Sequence, residues 1–182
     1  GLRDILLGFG ALSMLFGAVA ALGTPSLKRL LAYSTISNMG FILLAVGWGD
    51  PTALMAGVLF VVSHAIVKGG LFLTAGQVTD ALHTQELAEL GGLGRQVPWG
   101  AAAFGLGVLA LAGLPPSTGF VAKFALFTAG LAASPGLPGG SRTVLLALAI
   151  LASILALAYG LRAYVHVYWR EHPVSPSSAI VS

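Results

Sequence analysis

Apolar residues run along this chain in long blocks, without the alternation of a half-buried strand or the one-sided stripe of a soluble helix. Uncharged stretches cover Ile5 to Leu27, Leu30 to Gly49, Gln96 to Ala122, Phe124 to Ser141 and Thr143 to Leu161. Each is close to, or beyond, the roughly 20 apolar residues that carry a helix across about 30 Å of hydrocarbon. Several consecutive helices that are apolar on every side do not suit a soluble core. A membrane barrel would instead alternate apolar and polar positions over about ten residues. The pattern predicts an all-α fold, a polytopic transmembrane helix bundle.

Punctuation divides the blocks. A first span, about Ile5 to Leu22, is closed by Gly23-Thr24-Pro25, which cannot readily continue a helix. The second runs from about Leu30 to Gly47 and carries Tyr33, Ser34, Thr35, Ser37 and Asn38, small polar groups that favour close helix contact in lipid. Asp50-Pro51 supplies an N-cap and a first-turn proline for a third span, about Thr52 to Val78. Asp80 to Val97 is the most polar stretch and is expected to be an exposed loop with a short surface helix. Pro98 to Ser134 is too long for one regular span and is split by Pro115-Pro116, which removes two backbone donors. It reads either as two spans with a tight turn or as one discontinuous span broken at membrane depth. The discontinuous form places Lys28, Arg29, Arg95 and Arg170 on one side and Arg3 and Arg142 on the other, an orienting bias of the positive-inside kind. On that distribution about five crossings are expected, one of them Pro-broken. A Pro/Gly/Ser loop from Ser134 to Ser141 leads to a last span ending near Tyr164, with Tyr164, Tyr168 and Trp169 as an interfacial aromatic belt. Residues 1–170 then form one membrane domain and residues 171–182 a disordered tail.

Composition agrees: of 182 residues, 57% are hydrophobic and 8% charged, against about 25% charged in soluble domains. Nine Lys and Arg against six Asp and Glu give +3, but the basic residues stand singly around apolar segments with no stripe to follow a phosphate backbone. Nucleic acid is therefore not an expected partner. The chain has no Cys, which excludes disulfides, thiolate zinc sites and cysteine-ligated iron–sulfur clusters within it. No cofactor and no metal site are expected, and no Ser/His/Asp arrangement or phosphate loop suggests catalysis. The chain begins with Gly1 and is expected to be part of something longer.

Two lysines lie inside apolar sequence. Lys68 sits in VVSHAIVKGGLFLTAG and Lys123 in LPPSTGFVAKFALFTAG, two turns beyond the double proline. A lysine at mid-membrane costs about 2.5 to 3.5 kcal/mol on insertion scales, so it usually faces a cavity or a partner. Its charge is then sensitive to a neighbouring proton or ion, as a proton relay requires. For Lys68 the alternative is snorkelling to the nearer interface, yet His64 at i−4 shares its helical face. A broken helix beside Lys123 is how many transporters build ion sites. Lys28 and Arg29 read as well as interfacial anchors as functional groups. His83 and His166 read as interfacial residues, and Gly69, Gly70 and Gly76 as aids to close helix packing.

The runs LKRLLAYSTISNMGFILLAVG, SHAIVKGGLFLTAG, HTQELAELGGL and LALAGLPPSTGFVAKFAL resemble, in order, the C-terminal half of the antiporter-like membrane subunits shared by NADH-quinone oxidoreductase and Mrp-type sodium/proton antiporters. The likeness covers about Leu2 to Trp169. It implies a proton or cation path along a hydrophilic axis, with Lys28, His64, Lys68 and Lys123 at matching motif positions and the helix break at Pro115 and Pro116. It also implies neighbouring hydrophobic subunits of a multisubunit complex in a bacterial plasma membrane, with protons and Na⁺ as the ions. Family subunits are more than twice this long, and their N-terminal half supplies a membrane glutamate and a further lysine that this chain lacks. Three readings follow: an Mrp-type Na⁺/H⁺ antiporter subunit, which the HAIVKGGLF and AGLPPSTGFVAKF runs resemble most; a proton-pumping subunit of NADH-quinone oxidoreductase or a membrane-bound hydrogenase; and a fragment without transport of its own.

Overall fold

A computed structural model describes residues 1–132 and 139–171; the expected tail beyond Glu171 and most of the Ser134 to Ser141 loop lie outside them. Seven helices follow in order: α1 (Leu2–Gly23), α2 (Leu27–Trp48), α3 (Pro51–Leu82), the single turn α4 (Leu93–Gln96), α5 (Pro98–Ala112), α6 (Thr118–Ala132) and α7 (Gly139–Tyr164), which runs on as a π-helical turn, Val165–Trp169. No strand forms among the described residues, and four helices are long and apolar enough to cross a membrane. Their outward faces carry large apolar side chains such as Phe9, Phe16, Ile66 and Leu73, each more than 60% exposed, as a lipid-facing surface requires.

Small residues set how closely the first two helices approach. A Cβ added at Gly17 would sit 2.3 Å from the Ser37 nitrogen, and one at Gly40 would sit 2.5 Å from the Gly10 oxygen. With the backbones that close, Ser37 donates across to the Met14 carbonyl at 2.9 Å and Ser13 to the Ile36 carbonyl at 2.7 Å. Helix α3 starts as expected: the Asp50 carboxylate accepts from the amides of Thr52 and Ala53 at 2.9 and 3.2 Å, with Pro51 in the first turn. It extends further than the apolar pattern suggested, to Leu82, and ends where His83 turns left-handed at φ 53°. Gly69, Gly70 and Gly76 do not mediate packing, because a Cβ on any of them would meet nothing within 4 Å. They lie on the outward side of α3.

The segment expected to be an exposed loop with a short surface helix has that helix, α4, and is mostly exposed, but it is pinned to the bundle as a strap. Leu87, Leu90 and Leu93 are buried. The Leu87 amide donates to the Pro25 carbonyl at 2.8 Å, the Leu27 amide to Gln85 at 2.9 Å, and the Gly92 amide to Arg170 at 2.7 Å. Its charged residues masked three leucines spaced to insert between the α1–α2 turn and the end of α7. A Cβ at Gly94 would reach 2.4 Å from the Tyr168 oxygen, so this strap also needs glycine to lie flat on α7.

Helices α5 and α6 together make one crossing. Each has 15 residues, about 22 Å at 1.5 Å per residue, too short to span alone. Their partners on α7 fall steadily along the pair: Gly100 faces Tyr168, Gly105 faces Tyr164, Val108 faces Gly160, Lys123 binds Ser153, and the Leu131 carbonyl accepts from Arg142. On α3 the order is the same, Gly107 against Leu71 and then Thr118 against Ser63. Both neighbours therefore run antiparallel to a single, interrupted span, and with the four long helices it makes five crossings. Where the halves meet, the Pro115–Pro116 bond is cis, Gly113 is left-handed at φ 83°, and Gly119 passes the end of α5 so closely that a Cβ would lie 1.9 Å from the Ala110 oxygen.

Replacing Gly119 with Ala is expected to lower stability by about 1 to 3 kcal/mol through overpacking. Gly69→Ala and Gly70→Ala should be neutral or stabilising by up to about 1 kcal/mol. Thermal unfolding of the detergent-solubilised protein checks the contrast.

Candidate functional site

Two apolar clusters fill the bundle. One joins Leu27, Leu30 and Leu31 to Leu71, Phe104, Tyr159 and Val167. The other joins Met14, Phe41 and Leu44 to Phe60, Leu126 and Ala149. Between them, at matching heights on α2, α3, α6 and α7, lies a layer of buried polar groups: Ser34, Ser37, Asn38, Ser63, His64, Lys68 and Lys123, with Ser153 beside them. Antiparallel packing of α2 and α3 puts them together. Phe41 and Phe60 meet across the two helices, so Ser34 and Asn38, just before Phe41, come level with His64 and Lys68, just beyond Phe60.

Lys123 is 2% exposed. A helix end leaves its last four carbonyls without intrahelical donors, and for α5 these are fully accounted for. The Leu109 oxygen accepts from the amides of Gly113 and Leu114, and the Ala110 oxygen from Gly113. The remaining two, on Leu111 and Ala112, accept from Lys123 Nζ at 3.1 and 3.2 Å. The ammonium thus closes the break, at the negative end of the α5 dipole. It also donates to Ser153 Oγ at 3.1 Å and stands 4.5 Å from the centre of the Phe41 ring, a cation–π distance.

Lys68, 6% exposed, lies across from α2. Its Nζ donates to the Leu31 carbonyl at 2.5 Å and to Ser34 Oγ. Snorkelling is thereby set aside: the ammonium turns inward to the bundle. No carboxylate pairs with either lysine among the described residues. Asn38 donates to the Ser34 carbonyl at 2.7 Å. The buried Tyr159 hydroxyl points toward Ser34 and Asn38 without closing a hydrogen bond.

His64 stands between the lysines. Its ring stacks on Phe60 at 6.0 Å, and Phe60 stacks on Phe41 at 5.5 Å, beneath the Lys123 ammonium. The buried Nε2 has no hydrogen-bond partner. It borders a cavity of about 10 Å³ lined by Asn38, Ser63, Val67, Leu111 and Gly119 among others, near the lower limit for one water on that measure. One wall is thus Asn38, next to Ser34 and Lys68, and another is Leu111, whose carbonyl holds Lys123.

Of the residues singled out in the sequence, the structure brings Lys68, His64 and Lys123 into this layer, with Pro115 and Pro116 at the break. It does not bring Lys28 there. Lys28 is half-buried at the start of α2, one turn outward of the Leu31 carbonyl that Lys68 uses. Sequence reading missed Ser153 and Phe41. Ser153 had a signal, as the one hydroxyl in the apolar run between Thr143 and Tyr159; Phe41 had none. No group of three or more potential ligands that could hold a metal ion occurs among the described residues.

A broken apolar span and two buried lysines without carboxylate partners among the described residues mark this bundle as a polytopic helical membrane protein with a polar layer at its centre. Residues 2–138 match the family described as NADH:quinone oxidoreductase/Mrp antiporter, transmembrane, and the chain belongs to it. Hydrogenase-4 component B of Escherichia coli is 40% identical over 131 residues, 66% of this chain and 20% of that protein. A Na⁺/H⁺ antiporter subunit of Alkalihalophilus pseudofirmus is 30% identical over 169 residues, 93% of this chain and 33% of that one. Respiratory complex I from Thermus thermophilus with bound NADH contains a chain that superposes with a TM-score of 0.84 at 34% identity, covering 95% of this chain and 35% of that one. The chain thus spans about a fifth to a third of the length of the relatives it matches.

Because Lys123 caps two otherwise orphaned carbonyls, Lys123→Gln, which keeps a donor, should preserve stability better than Lys123→Ala. The difference is expected at about 1 to 3 kcal/mol, read as the separation between their melting transitions in detergent.

Proposed function

We propose that this chain forms part of a proton/cation-translocating subunit of a multisubunit membrane complex, with the polar layer as a segment of the ion path. The observation that carries the reading is the pair of buried ammonium groups held only by neutral partners, with the unpaired His64 Nε2 and a water-sized cavity between them. Lys68 and Lys123 each hold a proton against carbonyl and hydroxyl oxygens, so each can release it without breaking an ion pair. His64, with one nitrogen free, can take a proton on that side and pass it on through one water. Lys28 sits where protons would enter from the more basic end, one turn from the Lys68 site.

In an Mrp-type Na⁺/H⁺ antiporter, proton steps along this layer would be coupled to a counter-moving cation. A second reading, a pump driven by redox partners, is favoured by identities of 40% with the hydrogenase component and 34% with the complex I chain, against 30% with the antiporter subunit. The two share the same proton steps and differ in what supplies the charge that moves them. In either, the complex resides in the plasma membrane beside other hydrophobic subunits.

In membrane vesicles carrying the assembled complex, Lys123→Gln and Lys68→Gln are each expected to reduce proton translocation at least about tenfold, a barrier change of ~1.4 kcal/mol. Ser153→Ala should cost less, because two carbonyls still hold the ammonium. Undiminished translocation in Lys123→Gln would overturn the assignment. Pumping that requires an electron donor selects the redox-driven reading, and pH change driven by a Na⁺ gradient selects the antiporter.

A further inference from the structure

Away from the polar layer, the start of α5 and the end of α7 diverge to leave a crevice of about 500 Å³, lined by Arg95, Pro98, Ala101, Tyr164, Tyr168 and Trp169 with their neighbours. It opens at the end of the bundle that carries Lys28, Arg29 and Arg170, the end the positive-inside rule assigns to the cytoplasm. Trp99 and Trp169 flank it, 86% and 75% exposed, as tryptophans enriched at a membrane interface are. The π-helical turn is what aims the aromatic groups. Its Arg170 amide bonds back to the Val165 carbonyl at 2.9 Å, and the wider turn brings Tyr164 and Tyr168 together, their ring centroids 5.5 Å apart, beside Trp169.

The crevice has unspent polar capacity. The Arg95 guanidinium is exposed and has no hydrogen bond or ion pair among the described residues, and neither the Tyr164 nor the Tyr168 hydroxyl has a hydrogen-bond partner there. Among the carboxylates of the strap, Glu89 is taken by the Thr84 hydroxyl. Among the described residues no carboxylate lines the crevice. At its mouth α5 begins with Val97 as its N-cap, which makes no side-chain capping bond, so first-turn amides add to the positive field. The other wall, Pro98, Ala101 and Ala102, is apolar.

We propose that this crevice binds the headgroup phosphate of an anionic phospholipid in the leaflet at the basic end. Arg95 takes the phosphate oxygens as a charge-assisted fork, the two tyrosine hydroxyls donate to the same group, and the glycerol and first acyl carbons lie along Pro98, Ala101 and the Trp169 ring. A zwitterionic headgroup fits less well, because its ammonium would find no carboxylate on the lining. Basic pockets between helices on the cytoplasmic side are suited to such headgroups.

The test uses the assembled complex, purified in detergent and stripped of lipid, with native mass spectrometry during titration by phosphatidylglycerol. A bound phosphatidylglycerol is expected that Arg95→Gln weakens roughly tenfold and Trp169→Ala weakens measurably, while Arg29→Gln, an exposed charge on the same face but outside the crevice, leaves it unchanged. All three substitutions, at exposed residues, should leave assembly intact by size-exclusion chromatography. Equal binding of phosphatidylcholine, equal weakening by Arg29→Gln, or displacement of the lipid by millimolar inorganic phosphate would each overturn the proposal.

Discussion

The bundle depends on one constraint, that every backbone polar group at membrane depth must find a partner inside the protein. The double proline violates it by ending α5 halfway across, leaving carbonyls inside the bundle without backbone donors. Lys123 resolves the violation. Its long stem reaches back eleven and twelve residues to the Ala112 and Leu111 oxygens, and the energy of keeping an ammonium in the membrane is offset by the energy of leaving those carbonyls unpaired. Break and lysine are each unfavourable alone and mutually stabilising together. Gly113 and Gly119 are the steric conditions: one lets the chain turn with a positive φ under the lysine stem, the other lets α6 begin against the end of α5.

The rest of the polar layer follows the same logic at smaller scale. The Lys68 ammonium uses the Leu31 carbonyl and Ser34, and Ser34, Ser37 and Asn38 are directed to backbone oxygens of their own or neighbouring helices. Close approach of α1 and α2 through Gly10, Gly17 and Gly40 makes the cross-helix bond from Ser37 to Met14 possible. The apolar clusters above and below seal the layer from both ends. His64 Nε2 within the layer and the Tyr159 hydroxyl at its edge lack partners, as does Trp48 Nε1 in the apolar cluster beyond. Buried polar atoms without partners are uncommon and point to hydration or function.

Much of this was legible in the sequence, and the reasons differ by residue. Lys68 and Lys123 stood out because an ammonium within uncharged runs has few benign explanations. The helix start at Asp50-Pro51 was readable because capping chemistry is local. The five crossings were expected from the Lys/Arg distribution. Two full spans would keep its four-against-two bias by exchanging Arg170 for Arg142, so it discriminates only once Arg162, beside Leu22 at the basic end, is counted. Register decides it: partners on α7 fall from Tyr168 to Arg142 along the broken pair. The short helix and exposed residues of the strap were legible, but its docking was not, because Leu87, Leu90 and Leu93 are embedded among charges and only the docked α7 shows what they bury against. Gly69, Gly70 and Gly76 were misread because a glycine's neighbours are a tertiary fact, and these three face outward. Ser153 and Phe41 join the site from helices remote in sequence, which no local pattern encodes.

A layer built on neutral partners has a functional consequence that an ion-paired one would not. When an ammonium is held by a carboxylate, releasing its proton strands a negative charge in low dielectric, and breaking such buried pairs costs several kcal/mol. Lys123 and Lys68 hold their protons against carbonyls and hydroxyls, so deprotonation leaves neutral amines whose oxygen partners have no charge to strand. On the proposed reading each lysine would respond to charge arriving nearby, and His64, on the shared α3 face with Lys68, would relay that response toward Lys123. Nothing in the layer selects the source of that charge, a cation or a redox-coupled movement. On that reading the same scaffold would serve in either of the two kinds of complex whose subunits it resembles.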